Sequence, residues 1–116
     1  MASKGIDRFS KARRLTSGFE FRRTLRGGQV RRSGDLLVAV RENGLGTSRI
    51  GISIGRKVCN AVLRNRVKRL LREIFRKHAA LRQSSWDIVV VIHKYDDRVS
   101  FSSLCRDFNS LIAQWI

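Results

Sequence analysis

Acidic residues are scarce in this chain: nine Asp and Glu stand against 25 Lys and Arg, for a formal net charge of +16 in 116 residues. With so few clustered carboxylates, the side chains offer no place for a pair of catalytic metal ions. Histidine and cysteine are as thin, at two each. Cys59 and Cys105 lie far apart, with no Cys-x-x-Cys and no paired histidines, so neither a disulfide framework nor a zinc site is expected. Both thiols read as small buried or half-buried hydrophobes. No apolar run approaches the roughly 18 residues of a membrane span, and the first residues lack the apolar segment of a secretory signal. A cytoplasmic protein without a membrane partner is the expectation. Repeats and low-complexity tracts are absent too.

What is there is a cationic surface on an ordinary core. Hydrophobic residues make up 42% of the chain, so the charge decorates a folded domain. This length has room for one core. A charge of +16 repels itself and gains nothing unless an anionic partner relieves it, and nucleic acid is the first candidate. Residues 1–14, with Lys4, Arg8, Lys11, Arg13 and Arg14 and little apolar pattern, read as a basic flexible arm. Residues 15–116 read as a single domain.

The pattern along that domain alternates helix and strand periods. Ser17-Gly-Phe-Glu20 has the spacing of a capping box, which predicts a short helix from Ser17 to Arg26 that stops at Gly27-Gly28 and carries Phe21 and Leu25 at i, i+4. Asp35 to Arg41 is rich in strand formers, and the Glu42 to Ser48 segment, with Gly44 and Gly46, turns the chain back as a hairpin. Arg49 to Gly55 alternates strictly, with Ile50, Ile52 and Ile54 on one face and Gly51, Ser53 and Gly55 on the other. A strand face bare of bulk either abuts another element closely or floors a groove.

Asn60 to Lys77 is the most informative stretch, an amphipathic helix whose stripe of Leu63, Val67, Leu70, Leu71, Ile74 and Leu81 is spaced for burial. Seven cations lie between Arg64 and Lys77, and Glu73 is the only acid among them. Arg64, Lys68 and Arg72 climb one flank, Arg69 and Arg76 sit opposite the stripe, and Arg66 and Lys77 take the other flank. One helix can therefore face two polyanionic surfaces. Asp87 to Lys94 is a near-continuous apolar strand that closes a β-α-β unit. Ser100 to Ile116 repeats helix spacing at Leu104, Phe108, Leu111, Ile112 and Trp115. Trp86 and Trp115 read as packing residues. His93, Asp96 and Asp97 form the only local titratable cluster, which a turn and a helix cap explain better than a metal site. With no nucleophile beside a partner base, no catalytic side chain is expected.

The run Gly51-Ile-Ser-Ile-Gly-Arg-Lys-Val-Cys-Asn-Ala-Val-Leu-Arg-Asn-Arg-Val-Lys-Arg-Leu-Leu-Arg-Glu resembles the signature of the bacterial ribonuclease P protein subunit. It joins an Arg64-Asn65-Arg66 core to Lys68, Arg69 and Arg72, behind the small-residue strand, and length, basicity and element order agree from about Leu15 to Lys94. The resemblance implies a cytoplasmic subunit that joins a large catalytic RNA and with it removes the 5′ leader of precursor tRNA by endonucleolytic cleavage. The chemistry then belongs to the RNA, which also holds most of the divalent magnesium. The protein alone holds no cofactor, and no obligate protein partner is implied. Carried over position by position, Arg66, Lys68 and Arg69, with Arg56 and Lys57, face the catalytic RNA. Phe21, Leu25, Ser53, Arg64, Asn65 and Arg72 border a cleft for the single-stranded leader. Of three aromatic positions in that cleft this chain keeps Phe21; the others are Leu25 and Ala39, and Arg22 and Arg26 are candidates to compensate through phosphates.

The implied fold is α+β, a two-layer α-β sandwich on a four-stranded central sheet, in the order α-β-β-β-α-β-α. Its β-α-β crossover is expected to be left-handed, against a general rule that makes ~98% of them right-handed. The rival reading from composition is a ribosomal or general RNA-binding protein without a role in tRNA cleavage. A DNA-binding regulator comes third, because a strand precedes the basic helix where a helix-turn-helix partner should stand.

Overall fold

One alternating strand, two largely apolar strands and two apolar helix stripes lead to one sheet covered unequally on its two faces. The computed structural model describes residues 14, 15, 17–33, 36–55, 58–93 and 101–115. Its elements run α1 (Gly18–Gly27), β1 (Gln29–Ser33), β2 (Leu36–Glu42), β3 (Arg49–Ile54), α2 (Ala61–Lys77), α3 (Ala79–Gln83), β4 (Trp86–Ile92) and α4 (Phe101–Ile112). The strands order as β1-β2-β4-β3. β1 with β2 and β2 with β4 are antiparallel, while β3 and β4 run parallel, the two strands joined through α2. The mixed four-stranded sheet expected from the sequence is observed, but β2 and β3 do not pair as the expected hairpin: β4 lies between them and pairs with both. Gly44 and Gly46, at φ 67° and 80°, supply the left-handed backbone of the β2–β3 turn.

Register explains the main core. Ile50, Ile52 and Ile54 pair with Ile88, Val90 and Ile92, and these with Val40, Val38 and Leu36. That face meets Val67, Leu71 and Phe75 of α2, Leu81 of α3, and Leu104, Phe108, Leu111 and Ile112 of α4. The expected stripe is therefore rotated by part of a turn: Phe75 is fully buried, whereas Leu63, Leu70 and Ile74 are only half-buried. Leu81 is in the core, but on the far side of a break at His78 that separates α3 from α2.

Local signals set the helix starts. Ser17 caps α1 by accepting from the Glu20 amide at 3.4 Å, so the helix proper begins one residue later than the spacing suggests. Asn60 caps α2 by accepting from the Leu63 amide at 2.9 Å. Trp115 packs at the rim of the core and donates from Nε1 to Gln29 Oε1 at 2.7 Å, tying the end of the chain to β1. Cys59 and Cys105 are free thiols, both half-exposed. The basic arm up to residue 13, the pair Arg56 and Lys57, and Asp96 and Asp97 lie outside the described residues. Among the described residues no helix is long and apolar enough to cross a membrane.

Candidate nucleic-acid interface

The second face of the sheet is where the small residues of β3 matter. It consists of three cross-strand rows: Arg41, Asp87 and Arg49; then Ala39, Val89 and Gly51; then Leu37, Val91 and Ser53. α1 lies over the first two. In the first row Arg49 donates to both Asp87 oxygens at 2.8 Å and also to Glu20 of α1, while Asn43 donates to Asp87 at 2.9 Å. The Asp87 carboxylate, and then Glu20, hold the Arg49 guanidinium above its ordinary pKa against the opposing effect of burial. This network bolts α1 to two strands.

The middle row is closed. Ala39 and Val89 are fully buried beneath Leu15, Phe21 and Leu25. Of the two explanations the bare face allowed, close packing applies to Gly51, because Phe21 and the Leu15 carbonyl occupy the space a side chain would need. The third row is the open one. Leu37 and Val91 are half-buried and Ser53 is exposed, so the uncovered part of this face begins at Ser53 and leaves Gly51 covered.

A concavity lies along α2. Residues 14 and 15 run beside β3, with a parallel bridge from Arg14 to Ile50 and the Leu15 amide donating to the Ile50 carbonyl at 2.9 Å. Strand alternation sends Leu15 under α1 and Arg14 toward α2. There Arg14, Asn65, Lys68, Arg69, Arg72 and Arg76 surround a groove of ≈ 410 Å³, and Glu73 is its one acid. Glu73 is committed to Arg76 at 2.8 Å. Arg72 is the anomaly. Burial lowers its pKa, the nearby Arg14 lowers it further, and its Nε atom is buried with no hydrogen-bond partner. A guanidinium desolvated beside another cation is costly unless an anion joins them.

The candidate residues thus sort by geometry. Asn65, Lys68, Arg69 and Arg72 come together in this groove. Arg66 is exposed on another part of α2, and Arg64 turns back toward the Cys59 carbonyl at 3.4 Å. Phe21, Leu25 and Ser53 stand on the α1 side of the sheet. Sequence reasoning missed Arg14 as a groove residue, since only its pairing with Ile50 puts it there. It also missed the Glu20, Arg49, Asp87 and Asn43 network, although one signal was visible: an aspartate opening an otherwise apolar strand needs a cation.

A family model described as Ribonuclease P matches residues 9–115. The ribonuclease P protein component of Natranaerobius thermophilus is 36% identical over 94 residues, 81% of this chain and 82% of that protein. The Buchnera aphidicola component is 37% identical over 106 residues, 89% of this chain and 90% of that one. Among solved structures, the RNase P protein of Thermotoga maritima superposes with a TM-score of 0.77 at 31% identity, covering 89% of this chain and 97% of that one. The Staphylococcus aureus RNase P protein gives 0.80 at 27% identity over 90% and 95%.

Proposed function

Because the chain belongs to the ribonuclease P protein family, as the protein component of an endoribonuclease with an RNA partner, we propose that its α2 cations and the open row of its sheet serve two RNAs that meet at the α2 groove. The exposed cations of α2, Arg66 and Arg69 with Lys68, dock the catalytic RNA, together with Arg56 and Lys57, which precede α2 in the sequence. The single-stranded 5′ leader of precursor tRNA lies along the third row of the sheet, past Phe21, Leu25 and Ser53, and its phosphates reach Asn65 and Arg72, with Arg64 at the margin. Cleavage chemistry and its magnesium belong to the RNA, and the complex acts in the cytoplasm.

The observation that carries this reading is Arg72, half-buried beside Arg14 with an unpartnered Nε. A charge held in that state pre-pays desolvation for a phosphate, so anion binding there recovers what folding gave up. Only the precursor has a leader to place, so the protein raises affinity for precursor over mature tRNA, which is differential binding.

The test is cleavage of precursor tRNA by the catalytic RNA at low magnesium with and without the protein. Stimulated leader removal is expected, with the log of leader-dependent affinity falling against log salt at a slope near −3.5 for about five phosphates at roughly −0.7 each. Ribosome co-sedimentation with no effect on cleavage would support a general RNA-binding role instead.

A further inference from the structure

The outward face of α1 carries Phe19, Arg22, Arg23 and Arg26, all exposed. Phe19 is 64% exposed, and Leu45 at the β2–β3 turn is 57% exposed. The two residues line one concavity of ≈ 360 Å³, walled by Arg23 and Arg41 and based on the first cross-strand row. That row lies on the far side of the closed middle row from Ser53, so this concavity is separate from the leader cleft.

Charge and shape specify what fits. At the base, Glu20 and Asp87 are both spent on Arg49. Neither Arg23 nor Arg41 has an ion-pair partner among the described residues, leaving Glu42 as the one uncommitted acid nearby. An exposed ring flanked by free guanidiniums matches the two faces of an unpaired nucleotide: the ring stacks on the base and the cations take the phosphates. An acidic peptide would use the cations and leave the ring idle. We propose that Phe19, Arg23 and Arg41 form a second single-stranded RNA contact, with one base stacked on Phe19 beside Leu45 and the flanking phosphates on the two arginines. The inference rests on the RNA-binding reading above but not on the leader cleft. The strand comes either from the distal part of a long leader or from an unpaired segment of the catalytic RNA.

Both sources are separable with the full chain. Phe19→Ala, Phe19→Leu, Phe19→Trp and the Arg23→Ala/Arg41→Ala pair are compared by filter binding to catalytic RNA alone, and as holoenzyme on precursor tRNAs with short and long leaders. Phe19→Ala and the arginine pair are expected to weaken one of these by about 5-fold to about 150-fold, the span of a single stacked base. Phe19→Trp should match or exceed the parent and Phe19→Leu should not. Loss on catalytic RNA assigns the strand there; loss confined to long leaders assigns it to the substrate. Parent-like binding by Phe19→Ala in both arms, parent-like binding by Phe19→Leu, or a change only in self-association on sedimentation overturns the proposal. Arg72→Ala run in parallel loses affinity for short and long leaders alike, so a silent Phe19 beside an active Arg72 sinks this contact and leaves the cleft standing.

Discussion

Phe21 rests so closely on Gly51 that no larger residue fits beneath the ring: a Cβ at Gly51 would overlap the ring's Cε2 atom and stand 2.9 Å from the Leu15 carbonyl oxygen. The ring is thereby pinned between α1 and the sheet, with part of its surface left open. Gly51→Ala must displace either the ring or the strand that carries Leu15. It is expected to cost about 1–3 kcal/mol in urea unfolding, the range for overpacking a close-packed site. Leader-dependent affinity should fall while affinity for mature tRNA holds. Unchanged stability would mean that the ring is not seated there.

Arg72 makes a sharper prediction, because stability and binding should move in opposite directions. Its own burial, and then its neighbour Arg14, disfavour the charged form. Arg72→Met removes that repulsion while keeping an unbranched apolar stem, so the urea midpoint is expected to stay level or rise. Precursor affinity should drop, and the salt slope should shrink by roughly 0.7 for one lost phosphate contact. A midpoint that falls along with affinity would make Arg72 an ordinary structural residue.

Asp87 is the reverse case. Its side chain is 3% exposed and Arg49's is 18% exposed. Asp87→Ala leaves the Arg49 guanidinium with Glu20 alone and takes an acceptor from Asn43. Breaking a buried pair on one side costs about 3–5 kcal/mol, and the remaining contact with Glu20 puts this variant toward the lower end. Glu20 is 32% exposed, so Glu20→Gln should cost much less. Urea unfolding of the two variants side by side checks the order, and equal losses would contradict it.

Glu73 is the lone acid of the α2 groove, and hydrogen bonds from Arg76 hold its carboxyl below the ordinary value of 4.5. A depressed carboxylate contributes stability that is present above the unfolded value and is lost as pH falls through the folded one. The residue therefore stays charged at neutral pH and adds no pH dependence to RNA affinity between about pH 6 and 8. Glu73→Gln should tighten binding by a few-fold at low salt, since one like charge near a phosphate costs on the order of 1 kcal/mol in a well-solvated site. Filter binding at two salt concentrations reads it out, and weaker binding by the variant would show that Glu73 positions Arg76 for RNA.

How much of this was legible in the chain depended on whether burial or pairing was at stake. Ile50, Ile52 and Ile54 declare a buried strand face by alternation alone, and the cations of α2 declare an exposed one. β1 does not: Gln29-Val-Arg-Arg-Ser33 has one apolar residue, Val30, itself 37% exposed, so this edge strand exists through its backbone pairing with β2. Phe75 shares its core with residues of the sheet, α3 and α4, and a stripe read at 100° per residue does not contain that tertiary information. Arg14 entered the groove through a bridge to Ile50, a contact between distant segments that leaves no local mark.

The proposed leader path offers the last test, because the structure separates Leu25 and Ala39, the two positions without an aromatic ring. Ala39 is fully buried in the closed middle row, so Ala39→Tyr would overpack that row and destabilise the fold without reaching the cleft. Leu25 is half-buried at the edge of the same cluster, next to the half-open third row. Leu25→Phe can keep the packed side of the residue and turn a ring edge outward, beside Phe21. The gain expected is up to about 1–3 kcal/mol of leader-dependent affinity, the worth of one stacked base, with mature tRNA unaffected. Precursor and mature tRNA titrations of the holoenzyme measure the difference directly. Equal affinities for parent and Leu25→Phe would mean that the leader passes the third row on its phosphates alone, which shifts the weight of recognition from Phe21 to Arg72.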